Sequence, residues 1–391
     1  MKPLAGHRVL AFGAMAQRPL ACFLQTMGAE IVTAGVTVEQ LSAASFLIED
    51  LGLPRLADAG VHRADIERLY PSLVHVSVTT FGSEGPRARW LGGELIASAM
   101  GGVLRLTGEP DRAPVKEALD ACTYHADMAA AAGAMAAHYS RSVTGSGQHV
   151  DISIQEVAFS RNVNGILVWQ FDRRKLHRVG GALNYGKATV RCIWRLADGW
   201  CFHSLMTGRF GAPANKGLSD WMDEAGLANP LRDVDWLRYN RSTLDPALRV
   251  EWEAAIAAFF ATRTRADIAG EGRRRGINAC VVAEPADVLR DPHLQARDFW
   301  ATVEGIRQPR RFVALREGVE VSQVTARAGA RPGPLAGVRV LDFAWALVGS
   351  ITTKILGDLG ADVVKVESRT RPCLSRIDVQ VDVSRAGDFD D

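Results

Sequence analysis

Residues 3–12 read PLAGHRVLAF and residues 334–343 read PLAGVRVLDF, so eight of the ten paired positions are identical. In both places an apolar run is followed by a short amphipathic segment, a glycine and a second apolar run. This order predicts a strand, a helix and a parallel strand, which is the opening βαβ unit of a Rossmann-like sheet. Because the rest of the sequence does not recur, a solenoid of repeats is excluded.

The region between the two copies continues this alternation of strand and helix patterns. The segments are ADIERLYP (64–71, helix), LVHVSVTTFG (73–82, strand), GGELIASAMGG (92–102, helix), residues 123–140 (helix) and GQHVDISI (147–154, strand). Strands that alternate with helices are typical of α/β proteins. The sequence therefore predicts an α/β fold with a parallel sheet over about residues 1–160.

The pattern changes from about residue 186. The segment YGKATVRCIWRLADGW (185–200) predicts a small antiparallel hairpin, and helices are expected near 215–227 and 245–260. We expect four parts in the chain. They are a Rossmann-like large domain (1–190), a small α+β domain with a return segment (191–325), a linker (326–333) and a partial second copy of the opening βαβ unit (334–391).

The composition is that of a soluble globular protein. The 391 residues are 47% hydrophobic and 23% charged, and Lys plus Arg exceed Asp plus Glu by 46 − 44 = 2. This balance favours neither nucleic acid nor a membrane as a partner. The six cysteines show no CxxC or zinc spacing, and no secretory signal is visible, so we expect reduced thiols, no metal site and a cytoplasmic location.

Several phrases occur in an order and spacing that resemble the family III (CaiB/BaiF-type) CoA-transferases. They are PLAGHRVLAF, YPSLVHVSVTTFGSEGP, GGELIASAMGGVLRLTGEPDRAPVK, TGSGQHVDISIQEVAF and EPADVLRDPHLQARDFW, within about residues 3–315, and residues 334–366 match the opening again. The resemblance implies a Rossmann-like large domain, a small domain and two interlocked subunits. It also implies CoA transfer between an acyl-CoA and a carboxylic acid, with CoA as a substrate moiety and no covalently bound cofactor.

In this family an Asp carboxylate attacks the thioester, and an enzyme-bound anhydride and then an enzyme–CoA thioester follow. That Asp comes seven residues after a PVK motif, and here the seventh residue after Lys116 is Thr123. A threonine hydroxyl cannot form the anhydride. The resemblance therefore implies a catalytically silent chain.

The stretch that helps to hold CoA in the family is also altered. It corresponds to EDLGLPRLADAG (49–60), where Asp58 stands at a phosphate-facing arginine position. A carboxylate there is expected to repel a CoA phosphate. Asp50, Asp58 and Lys116 are thus interpreted as positions of a degenerate CoA site.

Carboxylates near Thr123 leave alternatives open. Glu94, in the GGE that replaces the family's GFD, is either a substitute nucleophile or a group that caps a helix start. Asp120 and Asp127 are expected to be solvated or to cap, and His125 to be packed or on the surface. A self-sufficient transferase that uses Glu94 or Asp120 is one alternative, and a non-enzymatic acyl-CoA-binding or scaffolding protein is another.

The preferred interpretation is a subunit that acts beside a catalytic family III paralogue. The family includes heteromeric members with unlike chains, among them one that activates benzylsuccinate in aromatic acid degradation, and this sequence resembles the chain that lacks the acid. A lone βαβ unit cannot bury both faces of its strands. The second copy is therefore expected to dock on this chain or on a companion subunit.

Overall fold

A computed structural model describes residues 2–33, 37–58, 60–185, 188–303, 305–310, 313–314, 332–368 and 373. The described residues form two compact units. Unit one lies within 1–105, 115–163 and 298–377, and unit two lies within 106–114 and 164–297. These units are discontinuous in sequence, whereas the division expected above is linear, and that linear division stays a prediction. The expected linker lies outside the described residues except for 332–333.

The described strands are short and number fourteen. They are β1 (Arg8–Ala11), β2 (Glu30–Thr33), β3 (Phe46–Glu49), β4 (Val74–Thr79), β5 (His149–Ser153), β6 (Ala182–Tyr185), β7 (Ala188–Arg191), β8 (Ile193–Leu196), β9 (Gly199–His203), β10 (Ala279–Val281), β11 (Trp300–Val303), β12 (Ile306–Pro309), β13 (Arg339–Asp342) and β14 (Asp362–Lys365).

Fifteen α-helices are described between and after these strands. They are α1 (Pro19–Thr26), α2 (Val38–Ala43), α3 (Leu53–Asp58), α4 (Arg63–Leu69), α5 (Glu94–Met100), α6 (Val103–Leu106), α7 (Ala121–Thr144), α8 (Ile154–Ser160), α9 (Val163–Leu167), α10 (Gly208–Glu224), α11 (Pro246–Ala261), α12 (Arg265–Asp267), α13 (Pro285–Arg290), α14 (Pro292–Ala296) and α15 (Val348–Asp358). A 3-10 helix spans Gly13–Gln17, and π-helical turns span Val168–Asp172 and Ile268–Gly272.

The main sheet of unit one has the order β2-β1-β3-β4-β5, and all of its pairs are parallel. The parallel α/β sheet expected over residues 1–160 is confirmed. Strand β3 did not emerge from the sequence pattern, although it lies between β1 and β4. All four of its residues are buried, as is typical of an inner parallel strand that is covered on both faces.

One face of this sheet is covered by α7, whose inner surface consists of small residues. Ala126, Ala130, Ala134 and Ala137 recur at helical spacing and are each at most 1% exposed. Small side chains allow the helix backbone to lie close to the strands. At Gly133 an added Cβ would come within 2.7 Å of Val150 Cγ1 on β5, so even an alanine there would crowd the sheet.

The other face of the sheet has a smaller apolar cluster. Leu10 of β1 and Leu47 of β3 pack there against Leu41 of α2, Ile66 of α4 and Leu73. Helices α2 and α4 thus cover the face opposite to α7.

Unit two contains an antiparallel sheet of order β10-β9-β8, and β6 pairs with β7 in a second antiparallel ribbon. The expected antiparallel hairpin is confirmed by β8 and β9, and the two expected helices by α10 and α11. An aromatic core that includes Trp194, Phe259 and Phe260 packs behind the sheet.

The described part of the second copy contains a strand, a helix and a second strand. Strands β13 and β14 are parallel, with Leu341 opposite Val364, and α15 connects them. The same register joins β1 and β2, where Leu10 lies opposite Val32. The part of the predicted second copy at 374–391 lies outside the described residues.

Candidate active site at the start of helix α7

Helix α7 begins at Ala121, two residues before Thr123. Asp120 occupies the N-cap position, but its side chain makes no capping hydrogen bond. The cap comes instead from Glu94, the first residue of α5. Its Oε1 accepts the Cys122 N–H at 2.9 Å, and its Oε2 accepts the Thr123 N–H at 2.9 Å. Helix α7 therefore presents its unpaired N–H groups to a carboxylate that is distant in sequence.

Thr123 completes the contact with Glu94. Its hydroxyl Oγ1 donates to Glu94 Oε2 at 2.9 Å. Burial raises the pKa of Glu94, but the N–H groups of Cys122 and Thr123 and the Thr123 hydroxyl outweigh burial, so its pKa lies below the ordinary value. Glu94 is an anion held by three donors. Two roles were expected for Glu94, a substitute nucleophile or a helix cap. In the structure its carboxylate caps a helix.

This geometry limits the nucleophiles available at the helix start. The low pKa of Glu94 makes it a weak base toward the Thr123 hydroxyl, and it also lowers the nucleophilicity of the carboxylate itself. Burial and the neighbouring Glu94 raise the pKa of the Cys122 thiol, which disfavours the reactive thiolate.

The segment just before α7 is fixed by ion pairs. Lys116 Nζ lies 3.1 Å from Asp120 Oδ1 and also donates to the carbonyl of Leu119 at 3.3 Å. Arg161 binds Glu117 with two bonds of 2.9 and 3.0 Å. Lys116 and Asp120 are thus brought together and form an ion pair in which Lys116 is half-buried and Asp120 is exposed.

Asp127 differs from what the sequence suggested. The expectation of a solvated Asp127 is wrong, because this residue is 0% exposed on the inner face of α7. Its carboxylate is bound by Arg18 through bonds of 3.2 Å from Nε and 2.5 Å from a terminal nitrogen. Besides the Arg18 guanidinium, the carboxylate has the backbone N–H of Leu20, in the first turn of α1, as a hydrogen-bond partner. Burial raises the pKa of Asp127, and Arg18 offsets that rise only in part.

The two acidic positions of the expected CoA-holding stretch lie in different surroundings. Asp58 is exposed and forms an ion pair with Arg89, at 2.8 Å from one terminal nitrogen. Burial raises the pKa of Asp50. The Asp50 side chain lies against Gly13: a Cβ atom added at Gly13 would come within 2.2 Å of Asp50 Oδ1. Gly13 has a φ of 69°, so a side chain there is disfavoured by backbone strain as well.

His125 lies on the surface of α7, and its Nδ1 is 2.6 Å from the carbonyl of Ala121. This agrees with a surface histidine. In the basic stretch 272–276, Arg274 and Arg275 are paired with Glu271 and Glu224. Those guanidinium groups therefore have acidic partners on their own unit.

A buried polar network was missed by sequence reasoning. Glu49 of β3 accepts the hydroxyl of Ser77 and lies 3.2 Å from His75 Nε2, and Ser77 is 2.8 Å from His149 Nε2. Burial, together with the charge of His75, lowers the pKa of His149 to about 4. Ser77 is 0% exposed, and the network links strands β3, β4 and β5. The spacing of these residues carries no recognisable motif.

Replacing Glu94 by Gln is expected to lower the free energy of unfolding by about 1 kcal/mol at neutral pH, because the cap of α7 is weakened. The folded pKa of Glu94 is depressed, so its contribution is present above the unfolded value of about 4.3 and is lost as the pH falls through the folded pKa. Urea unfolding of both proteins between pH 7 and pH 3 measures the difference. The exposed Glu84→Gln is the control, expected to change stability by less than about 0.5 kcal/mol. An E94Q penalty that stays constant with pH would contradict an ionised cap.

A family model for CoA-transferase family III matches residues 38–334 and then residues 335–376. The chain belongs to CoA-transferase family III. The second match begins one residue after Pro334, the first residue of the repeated motif, so the family's pattern starts afresh there.

Curated relatives show similarity over long stretches. The chain is 29% identical over 267 residues to succinyl-CoA:(R)-benzylsuccinate CoA-transferase subunit BbsE of Thauera aromatica, which covers 67% of this chain and 62% of that protein. It is 26% identical over 375 residues to probable CoA-transferase Rv1866 of Mycobacterium tuberculosis, which covers 85% of this chain and 44% of that protein. It is 29% identical to succinate–glutarate CoA-transferase of Agrobacterium fabrum over 75% and 70% of the two chains. The chain thus spans less than two thirds of the first two relatives.

A solved structure has the same fold. A crystal structure of a CAIB/BAIF family protein from Brucella suis superimposes with a TM-score of 0.65 and 22% sequence identity, covering 80% of this chain and 93% of that one. Across the residues that the structure describes, no helix has the length and apolar character needed to cross a bilayer. In that same part of the chain, no cluster of three or more His, Cys, Asp or Glu side chains is arranged to hold a metal ion.

Proposed function

We propose that this chain is a non-catalytic module of a CoA-transferase that acts together with a catalytic family III chain. The observation that carries the proposal is the start of α7, where Thr123 occupies the expected nucleophile position. There it donates its hydroxyl to Glu94 at 2.9 Å. The partner supplies the Asp that this position lacks.

The chemistry supports a division of labour. CoA transfer by this route needs an enzyme carboxylate that becomes first an anhydride and then a thioester. Glu94 is stabilised as an anion by two backbone N–H groups and one hydroxyl. To attack a thioester it would have to give up these bonds and uncap α7. If the chain is catalytically silent, Glu94 keeps these hydrogen bonds and α7 keeps its cap.

The surroundings of the expected CoA-holding stretch agree with this proposal. Asp58 is paired with Arg89, so the guanidinium that could meet a phosphate is already engaged by a carboxylate. Arg161, near the start of α7, is likewise bound to Glu117. Tight binding of CoA is therefore assigned to the catalytic partner. We expect the two chains to interlock, as the resemblance implies.

The names of the relatives support the reaction class. The Thauera aromatica relative is described as a subunit and acts on succinyl-CoA and (R)-benzylsuccinate, and the Agrobacterium fabrum relative acts on succinate and glutarate. We propose CoA transfer from an acyl-CoA to a carboxylic acid for the complex.

A second candidate function has one specific observation in its favour. The Glu94 carboxylate lies at the helix start, within 2.9 Å of the Thr123 hydroxyl, and so near the place expected for the nucleophile. In this alternative the isolated chain is a complete transferase and Glu94 carries the acyl group. The two candidates differ in which protein becomes modified.

Trapping with hydroxylamine distinguishes them. The isolated chain is incubated with succinyl-CoA, hydroxylamine is added, and peptides are examined by mass spectrometry for a hydroxamate at Glu94 or Asp120. We expect neither residue to be modified. In the complex purified from the natural source, we expect the hydroxamate on the partner's Asp at the position of Thr123.

The control for this experiment is the E94Q chain. A hydroxamate at Glu94 that disappears in E94Q would overturn the silent module and establish the self-sufficient enzyme. A complex without any hydroxamate, formed by a chain that still binds acyl-CoA, would favour the non-enzymatic binding protein.

A further inference from the structure

The second copy carries an exposed apolar stripe on one face of its two strands. The stripe consists of Leu341 (61% exposed), Phe343 (70%), Val364 (48%) and Val366 (45%). These side chains lie on the strand face opposite to Asp342, which is 4% exposed. Large apolar side chains grouped on one face mark a surface that is covered in the working protein.

The first copy shows what covers the same face. Leu10 corresponds to Leu341 in the repeated motif and is 2% exposed. It packs against Leu47 of β3 and Ile66 of α4. The same strand sequence is therefore buried where a third strand and its helices are present, and exposed where they are absent from the described part of the chain.

The backbone edges differ in the same way. In the first copy, the carbonyl of Arg8 accepts the N–H of Ser45 at 2.9 Å, and the N–H of Phe12 donates to the carbonyl of Ile48 at 2.9 Å. These bonds attach β3 to β1. In the described part of the chain, β13 pairs with β14 alone. The carbonyl of Arg339 and the N–H of Phe343 correspond to these groups of Arg8 and Phe12. They lie along the edge of β13 that faces away from β14.

The second copy is held in shape by its own polar contacts. Asp342 accepts the Ala344 N–H at 2.6 Å and the Thr353 hydroxyl at 2.8 Å. Lys365 donates to the Ala344 carbonyl at 2.9 Å and to Ser350 Oγ at 3.0 Å. The loop between β13 and α15 is thus closed, so the edge and the stripe are arranged before any partner binds.

We propose that the β13 edge and the exposed apolar stripe bind the third strand of a second family III module, parallel to β13, as β3 binds β1. This inference rests on the proposed function, because the second module is the catalytic partner. The occupant is defined by the template: a short strand that is buried on both faces, like FLIE at 46–49, followed by helices that cover Leu341 and Phe343.

Two comparisons support this occupant over a self-contained tail. The family model starts a second match at residue 335. The similarity to the Mycobacterium tuberculosis relative runs over 375 residues of matched sequence and accounts for only 44% of that protein, so that relative is long enough for two modules. The start of a second family III match therefore follows the first match directly, in a context where a second module fits.

Site-specific photo-crosslinking in the full chain tests the proposal. Phe343 is replaced by p-benzoylphenylalanine in the natural host, and crosslinked peptides are sequenced. We expect crosslinks to the third strand, or to the helix after it, of a family III module that carries Asp at the position of Thr123. The same probe at Val250, which is 68% exposed on α11 of unit two, is the control and is expected to give no such crosslink.

Other outcomes overturn the proposal. Crosslinks to residues 38–310 of the same chain would show that the second copy docks on its own sheet. Crosslinks to Phe343 or its neighbours in another copy of this chain would show pairing of two identical units. Absence of crosslinks together with fast hydrogen exchange at Leu341 and Phe343 would show an uncovered edge.

A pair of substitutions gives an independent measurement. Leu341→Lys is expected to lower the amount of catalytic partner that co-purifies at least tenfold, whereas Val250→Lys leaves it unchanged. The crosslinking and trapping experiments can reject the docking proposal and the proposed function independently of each other. Crosslinks to a family III strand combined with a hydroxamate at Glu94 would keep the docking surface and reject the silent module.

Discussion

Replacing Arg18 by Met is expected to lower the free energy of unfolding by about 3–5 kcal/mol, because it leaves the carboxylate of Asp127 charged, buried and unpaired. Asp127 is 0% exposed, and its two oxygens are bound by Arg18. Urea unfolding at pH 7 measures the loss. As the pH falls, part of it is expected to return, since protonation removes the buried charge.

The double variant R18M/D127L tests whether the pair or the single charge matters. Apolar replacements of similar volume often equal a buried ion pair in stability, so the double variant is expected to lie within about 1 kcal/mol of the parent. The exposed pair of Arg8 and Glu30, at 3.3 Å, gives the matched surface control, and Arg8→Met is expected to cost less than about 1 kcal/mol. Equal losses for R18M and R8M would contradict the burial argument.

Installing an acid at the expected nucleophile position by Thr123→Asp is expected to destabilise the fold by about 1–3 kcal/mol at pH 7. The new carboxylate takes the place of a hydroxyl that donates to Glu94 at 2.9 Å, so a stabilising donor is exchanged for a like charge. One of the two carboxylates is then expected to titrate well above its ordinary pKa. Unfolding measured between pH 4 and pH 8 is expected to show the T123D penalty growing as the pH rises.

The matched variant T123D/E94Q removes the repulsion while it keeps the new acid. It is expected to recover most of the loss of T123D at pH 7 and to show little of its pH dependence. If T123D alone is as stable as the parent across this range, the close contact between Glu94 and residue 123 does not exist in solution. Nuclear magnetic resonance titration of the two carboxyl carbons reports the pKa values directly.

Local patterns were sufficient for most strands and helices of unit one. The apolar runs and the glycine at position 28 predicted β1, α1 and β2, and the structure contains all three. Gly28 has a φ of 109° there. Strand β3 was not identified, because four buried residues in a row show no alternation. Its place between β1 and β4 depends on contacts that no local pattern contains.

At the site, too, local features could be predicted from the sequence, whereas contacts between distant residues could not. Spacing from Lys116 placed Thr123 at a helix start, which the structure has at Ala121. The acceptor of its hydroxyl is 29 positions away, and the partner of Asp127 is 109 positions away. Pairings of this kind depend on how α1, α5 and α7 pack together, so sequence reasoning could only leave Glu94 with two roles and misplaced Asp127 in solvent.

The contact between Glu94 and Thr123 also has a consequence for the history of the chain. Two residues that depend on each other in this way cannot be exchanged one at a time without loss. A single substitution that places an acid at position 123 meets an anion already in place, and a single substitution at 94 uncaps the helix. If the chain is silent as proposed, the route to a self-sufficient enzyme thus crosses a less stable intermediate, and the contact between Glu94 and Thr123 acts as an evolutionary ratchet.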